Sequence, residues 1–350
     1  MKITHVSYER LDLKLTEPYT IAYETVDRAV NFILKIETDT NIVGYGCAAP
    51  DQEVTQESFA EVENNIKGII IPFLRDKNPL DTSRLLQELA VLFNKKSSAL
   101  AMVDMALLDI AAKKMGVPLY QFLGGYRTFI PTSITIGILP LEDTLKKASD
   151  FVGQGFTVLK LKGGLSVDED IEKVNKIFEV HPNIKLRFDA NQGYDLERAI
   201  KFFKETKNAN IEIFEQPSAV DKAKLLGAIS KAVALPVMAD ESIKTLDDVY
   251  ELARKEQINM VNIKLMKVGG IREGMHINSV AKAAGLQVMV GCLDECGLGI
   301  SAGLHFALSR PNIGYADLDG HLDFIQDPFA GMVVIRNGTM YPNLKNGLGV

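Results

Sequence analysis

One periodicity constrains this chain more than any other feature. Short runs of β-branched or aliphatic residues recur at ITIGI (near 134–138), TVLKLK (157–162), IKLRFDAN (184–191), IEIFEQP (211–217), LPVMADE (235–241), MVNIKLM (260–266), LQVMVG (286–291) and YADLD (315–319). These eight strand candidates follow one another at intervals of roughly 24–29 residues, the length of one strand-plus-helix unit. The segments between them carry helical spacing. Ile171, Val174 and Phe178 share one side of DEDIEKVNKIFEV, as do Leu246, Val249 and Leu252 of LDDVYELARK. An α/β fold is expected, a (β/α)8 barrel of the modified TIM type, with its catalytic domain at 126–322.

The first 125 residues are organised differently. Alternating strands at about 2–15, 29–38 and 42–48 precede helical segments at about 55–75, 80–94 and 98–115, an α+β pattern for a capping domain at 1–125. Strand-like fragments at Met332–Arg336 and Thr339–Tyr341 lie in a tail, 323–350, that is expected to return to the cap. A hinge is expected at LGGYR (123–127), where two glycines interrupt the helical pattern.

Charge narrows the function. The net charge is −6 and no Lys/Arg cluster occurs, which removes nucleic acid and anionic membrane as expected partners. The N-terminus MKITHVSYERLDLKL alternates as a strand does and lacks the order of a secretory signal, and no apolar run is long enough to span a bilayer. Cys47, Cys292 and Cys296 form no CxxC pair, so neither a disulfide framework nor a zinc site is expected. The chain reads as cytoplasmic, with small molecules as its ligands and a homo-oligomer as its assembly.

In an α/β barrel the loops after the strands surround one mouth, so chemistry collects at the last residues of each strand. Here those are Lys160 and Lys162, Asp189 and Asn191, Glu215, Asp240, Lys264, and Asp317 and Asp319. Taken singly, each reads equally well as a salt-bridged strand terminus. As a set they would crowd one pocket, where unpaired burial is costly. Asp189, Glu215 and Asp240 stand on three neighbouring strands, and converging carboxylates need a cation. Oxygen ligands without His or Cys point to Mg2+. Lys160 and Lys162, which share a face of TVLKLKGG, stand to one side and Lys264 to the other. Beside a cation their pKa values are expected to fall toward the range of a general base. A divalent metal with a base on each face suits removal of a proton α to a carboxylate, with the metal stabilising the enediolate. Two opposed bases imply inversion at carbon. One base plus an inert cation would serve a β-elimination equally well, and spacing does not separate the two.

The segments KLK, FDAN, EQP, ADES and NIKLMKVGG resemble the muconate-lactonizing-enzyme subgroup of the enolase superfamily. ALLDIAAKKMGVPLYQFLGG (106–125) resembles that family's cap-to-barrel segment and the closing GLGV its tail, so the likeness covers nearly the whole chain. The resemblance implies Lys162 and Lys264 as the acid/base pair, Lys160 as support for the substrate carboxylate, and Asp189, Glu215 and Asp240 as Mg2+ ligands. Asn191 and Glu241 would hold a lysine or a ligand in position.

Asp317 and Asp319 share a face of the eighth strand, where two carboxylates would stabilise a cationic substrate group. This D-x-D pair resembles the amino-group site of dipeptide epimerases, so inversion of the C-terminal residue of an L-Ala-L/D-Xaa-type dipeptide is expected. Thr135 in the first strand, Glu24 in the cap loop 19–26 and Glu295 in GCLDEC complete the residues expected to face substrate. Specificity is expected from that loop and from residues near Asp51–Glu53. Relatives acting on Ala-Glu resemble one another in an arginine of the first loop. YTIAYETV has none, which favours a hydrophobic or cationic second residue. Asp323 reads as a structural cap, Cys296 as non-catalytic, and His321 stands apart from the scattered histidines because it follows the D-x-D pair. The alternatives are N-succinylamino acid racemase or o-succinylbenzoate synthase of the same subgroup and, from another class, a non-catalytic barrel scaffold.

Overall fold

The computed structural model describes residues 1–20, 25–93 and 97–350. Strands β1 (Ile3–Thr20), β2 (Thr25–Thr38) and β3 (Val43–Ala48) form an antiparallel sheet in that order. β2 is apolar on both faces because it separates two cores. Val30, Phe32, Leu34 and Ile36 enter the core of the cap, whereas Ala29 and Ile33, on the opposite face, join that of the barrel. The helix Phe59–Asn65, opened by a capping box of Ser58 and Glu61, runs on through a π turn at Ile66–Ile70 to Ile71–Leu74.

After the helix Thr82–Leu92 comes Ser97–Met115, apolar all round as a helix enclosed by protein must be. Met102, Ala106 and Ile110 face the cap core, and Ala101, Met105 and Leu108 face the barrel. β3 lies so close to this helix that a Cβ on Gly46 would stand 1.9 Å from the Met102 carbonyl oxygen, so only glycine fits.

All eight barrel strands form. After the two-residue β4 (Ile130–Pro131), β5 (Ile134–Ile136), β6 (Val158–Lys162), β7 (Lys185–Asp189), β8 (Ile211–Glu215), β9 (Val237–Ala239), β10 (Met260–Lys264), β11 (Gln287–Gly291) and β12 (Ile313–Asp317) pair in parallel in chain order. A parallel bridge between Thr132 and Ala316 joins the last to the first. Among the described residues each of β5 to β11 is followed by a helix, and β12 instead leads into the tail. Ile213, Met238, Met260 and Met289, with Tyr315 against them, fill the barrel interior as a separate apolar layer.

The tail acts first at the barrel's far end. Its hairpin, β13 (Val333–Arg336) and β14 (Thr339–Pro342), pairs with β4, and Gly338 packs against Phe156 and Thr157 just before β6. Further on, Leu119 N–H donates to the Gly347 carbonyl (2.7 Å) and Leu348 N–H to Asp109 Oδ1 (2.7 Å). No described helix is long and apolar enough to cross a membrane.

Candidate active site

Strand register brings most of the candidate residues to one mouth. Lys162, Asp189 and Glu215 are register partners on β6, β7 and β8, and Lys264 and Asp317 are each in register with Gly291 of β11. Around eight strands, β6 and β10 are four apart, so Lys162 and Lys264 come from opposite sides of the barrel. Asp189, Glu215 and Asp240 arise from the three strands between. Both lysines line a cavity of about 300 Å³ with Lys160, Thr135, Asn191, Asp240, Glu241 and the Asp317/Asp319 pair.

The loops that hold these side chains depart from ordinary backbone. Gly164, just past Lys162, has φ +103°, and a Cβ there would stand 2.0 Å from the Ala190 carbonyl oxygen, so the glycines of TVLKLKGG seat β6 against the turn after β7. Asn191 and Gln192 after β7, and Gln216 after β8, have positive φ without being glycine. Such strain persists where surrounding contacts enforce it. Gln216 shows how: its Oε1 accepts from the backbone N–H groups of Asp240 (2.9 Å) and Ser242 (3.2 Å), pinning the β9 loop to the β8 loop.

Lys160 is the charge centre. Its Nζ lies 2.9 Å from Asp317 Oδ2, 2.8 Å from Glu215 Oε2 and 3.1 Å from Asp189 Oδ2, all of them buried. Burial alone would lower its pKa, but Asp317, Glu215 and Asp189 hold it well above the usual lysine value. Asp240 belongs to another group, 2.8 Å from Lys264 Nζ and 2.5 Å from Lys267 Nζ. Against the effect of burial, those two amines hold the Asp240 carboxyl far below the usual range.

The three carboxylates expected at the metal are divided between two groups here: Asp189 and Glu215 meet Asp317 around the Lys160 ammonium, and Asp240 meets Lys264 and Lys267. The protein's own carboxylates hold the Lys160 and Lys264 amines up. Burial would depress Lys264, yet Asp240 holds it well above its usual value.

The remaining candidates fall into place individually. Asp317 also accepts from the Ser133 hydroxyl (2.5 Å); burial works against its charge, but Lys160, Ser133 and Arg187 hold it at about 2. Asp319 accepts from Thr135 N–H (2.6 Å) and is pushed up to about 7 by burial and by Asp317. Asn191 and Glu241 line the cavity. Glu295, also expected to face substrate, is not among the lining residues; it is buried in its own loop, its Oε1 accepting from Leu293 N–H (3.0 Å). Asp323, expected to be structural, is among the residues lining the cavity, and its carbonyl accepts from Thr16 N–H. His321 is buried with Nδ1 unpartnered among the described residues, and burial lowers its pKa to about 4. Cys296 lies with its sulfur 3.7 Å from that of Cys47, on the boundary of cap and barrel. Glu24 lies outside the described residues.

Sequence reasoning passed over four residues that hold this arrangement. Lys267 clamps Asp240 and also donates to the Asn262 carbonyl (3.2 Å), and Asn262 Nδ2 donates to Glu215 Oε1 (2.7 Å). Arg187 Nη1 donates to Ser133 Oγ (3.1 Å), and Ser133 in turn to Asp317. A signal existed for Arg187 and Asn262: each stands two residues before a strand-end candidate, on the same face of its strand.

Would a hard cation suit these groups? Glu215 Oε2, Glu241 Oε2 and Asn191 Oδ1 are buried without a hydrogen-bond donor among the described residues; Lys160 meets Glu215 Oε2 by charge, outside hydrogen-bond geometry. Burial pushes Glu215 up to about 8 and Glu241 to about 7, with Asp189 and Asp240 adding to both. Unpaired oxygen acceptors and reluctant carboxylates together mark a site short of positive charge, and an oxygen-only donor set of this kind fits a divalent ion.

Capped by an α+β layer and carrying opposed lysines over a row of carboxylates, the molecule falls in the class of enolase-like barrels. The chain belongs to the mandelate racemase / muconate lactonizing enzyme family: that family's N-terminal domain model matches residues 4–124, and the enolase C-terminal domain-like model matches 143–350. It is similar to the L-Lys-D/L-Arg epimerase of Desulforapulum autotrophicum, 39% identical over 100% of this chain and 99% of the relative. Among solved structures it is similar to the substrate-liganded L-Ala-D/L-Glu epimerase of Bacillus subtilis, with a TM-score of 0.96, 36% identity, and coverage of 100% and 98%. It is also similar to the dipeptide epimerase of Enterococcus faecalis complexed with Mg and L-Leu-L-Tyr, with a TM-score of 0.95, 34% identity, and coverage of 100% and 99%.

Proposed function

We propose that this chain is a Mg2+-dependent dipeptide epimerase that inverts the α-carbon of the C-terminal residue by proton transfer between two lysines. The observation that carries the reading is the origin of Lys162 and Lys264 on strands four apart, both lining one cavity, with candidate carboxylates on the strands between. Asp189, Glu215 and Asp240, with Asn191 or Glu241 beside them, would hold the metal, which when bound would offset the negative charge that builds on the substrate carboxylate as the α-proton leaves.

The chain's own groups do the rest. An unprotonated Lys162 takes the α-proton from one face, and Lys264, as an ammonium, delivers a proton to the other; the roles exchange for the opposite epimer. Lys160, which three carboxylates keep charged, would meet the substrate carboxylate. Asp317 and Asp319 take the free α-amino group, which favours a dipeptide over an N-acyl amino acid that has no such cation.

The test is α-proton exchange in D2O, followed by NMR, with dipeptides and with N-succinyl amino acids, each with Mg2+ and with a chelator. Mg2+-dependent exchange and epimerisation of dipeptides are expected. Exchange confined to N-succinyl amino acids would move the assignment to the racemase, and no exchange with any of these would remove the enzyme reading.

A further inference from the structure

The mouth lysines are not held alike. Lys160 has three carboxylates around its amine and Lys264 has Asp240, whereas Lys162 has no ion-pair partner within 4.0 Å among the described residues. A displacement of about 1 Å at a reacting group can cost about 10²-fold in rate, so something has to fix this amine. With no partner for the amine itself, the backbone from which the side chain leaves does so. Lys162 ends β6, Gly163 N–H donates to the Asp189 carbonyl of β7 (2.9 Å), and the next N–H, that of Gly164, goes to a side chain.

That side chain is Asp170, in the first turn of the helix Val167–Val180. Its Oδ2 accepts from Gly164 N–H (2.9 Å) and also from the Tyr194 hydroxyl (2.8 Å). Asp170 and Tyr194 are each 3% exposed, and Asp170 has no ion-pair partner within 4.0 Å among the described residues. Burial pushes its carboxyl up, against the two bonds that favour the charged form. A buried carboxylate without a cation costs stability that an apolar residue at this helix position would not. The double glycine makes room for it: a Cβ on Gly163 would stand 2.5 Å from Asp170 Oδ1. Tyr194 is fixed in its turn. Its N–H donates to the Pro217 carbonyl (2.8 Å), and its ring packs with Phe188, Phe202 and Phe214. A chain of contacts thus runs from the turn after β8 through Tyr194 and Asp170 to the residue two beyond Lys162.

We infer that Asp170 and Tyr194 are positioning residues for Lys162, fixing the turn from which its amine reaches the α-carbon, and that they govern proton transfer on that face alone. This rests on the two-lysine reading and deepens it. Lys264 leaves from β10, four strands away, and is held by its own carboxylate, Asp240, so none of these contacts touches it. Disturbing Asp170 or Tyr194 therefore reaches one base and spares the other, which a merely structural role in the barrel would not do.

The test is the initial rate of α-proton exchange in D2O, read by NMR separately for the L,L and L,D epimers of the L-Ala dipeptide that the full-length, Mg2+-loaded parent exchanges fastest. Lys162→Ala and Lys264→Ala serve as references, since each should silence one epimer and so identify which of the two faces Lys162. Asp170→Ala is expected to slow exchange of the Lys162-facing epimer by about 10²-fold and to leave that of the other close to the parent. Tyr194→Phe, which removes one hydrogen bond, should slow the same epimer by about fivefold. Asp170→Asn keeps an acceptor oxygen for both donors and should restore most of the rate. Should Asp170→Ala not fold, Tyr194→Phe decides, because its ring stays in the aromatic cluster. An equal loss for both epimers, or no loss for either in the folded variants, overturns the inference while leaving the two-lysine reading in place. If Lys162→Ala and Lys264→Ala do not silence opposite epimers, that reading falls and the inference with it.

Discussion

Among the three mouth lysines, the partners of each amine differ, and with them the tasks each can perform. Lys160 is enclosed by Asp189, Glu215 and Asp317, so releasing its proton would strand several buried carboxylates, and it serves as a fixed charge. Lys264 has one close carboxylate, Asp240, which it shares with Lys267, and Lys162 is only partly buried at the strand end. Lys264→Ala is therefore expected to lower epimerisation by about 10²–10⁴-fold while one substrate epimer still exchanges its α-proton through Lys162. Lys162→Ala should show the mirror pattern with the other epimer. NMR of both epimers in D2O reads this directly, and a folded Lys264→Ala protein that still inverts the centre would contradict the two-lysine scheme. These lysines stand out in the sequence because each is a charge at the end of an apolar run. Lys267 does not, since its return toward Asp240 depends on the one-turn helix Leu265–Val268, which no strand or long-helix periodicity announces. The carboxylate positions were equally legible, but their partners were not: residue spacing says which strand end an acid occupies, not whether an ammonium already stands beside it.

At the scale of elements, the turns after β6, β7 and β8 decide whether the strand-end groups meet. Gly164 combines a left-handed φ with a 2.0 Å approach of any Cβ to the Ala190 carbonyl oxygen, and that oxygen is backbone with no rotamer to yield. Gly164→Ala is expected to cost about 3 kcal/mol, from backbone strain plus overpacking, seen as a lower urea midpoint, and to impair activity by displacing Lys162 from Asp189. A variant within about 0.5 kcal/mol of the parent would show that the turn relaxes freely. The strands themselves were plain in the sequence because a buried parallel strand is a continuous apolar run bounded by turns. The tail was less so. The strand-like fragments Met332–Arg336 and Thr339–Tyr341 form strands at Val333–Arg336 and Thr339–Pro342, yet their partner is the two-residue β4, too short to carry any period, so the sequence held no sign that the hairpin would close the far end of the barrel.

The whole molecule behaves as one unit because the helix Ser97–Met115 contributes to both cores and its buried acids cross the boundary. Asp109 accepts from Tyr45 N–H in β3 (2.9 Å), from Lys113 (2.8 Å) and from Leu348 N–H in the tail (2.7 Å). Asp104 reaches the barrel: its Oδ2 accepts from the backbone N–H of Ile271 (2.6 Å) and Arg272 (3.2 Å), capping the helix that follows the Lys264 turn. Burial pushes Asp104 up to about 7 against those two bonds, and its Oδ1 has no partner among the described residues. In the unfolded chain the same group titrates near ~3.9. Between these values the folded protein binds more protons than the unfolded one, so this group's contribution to stability falls as pH rises from about 4 to about 7 and stays low above that, a loss of at most about 4 kcal/mol. Asp104→Asn keeps one acceptor for the helix N–H groups and cannot ionise. Urea midpoints at pH 5 and pH 8 should therefore drop less for Asp104→Asn than for the parent. Glu295, which burial also pushes up to about 7, acts in the same sense in both proteins, so it cancels from the comparison. Parallel midpoints in the two would mean that Asp104 is ionised at both pH values, its charge stabilised by the helix it caps, and that cap and barrel are joined by an ion and not by a neutral acid.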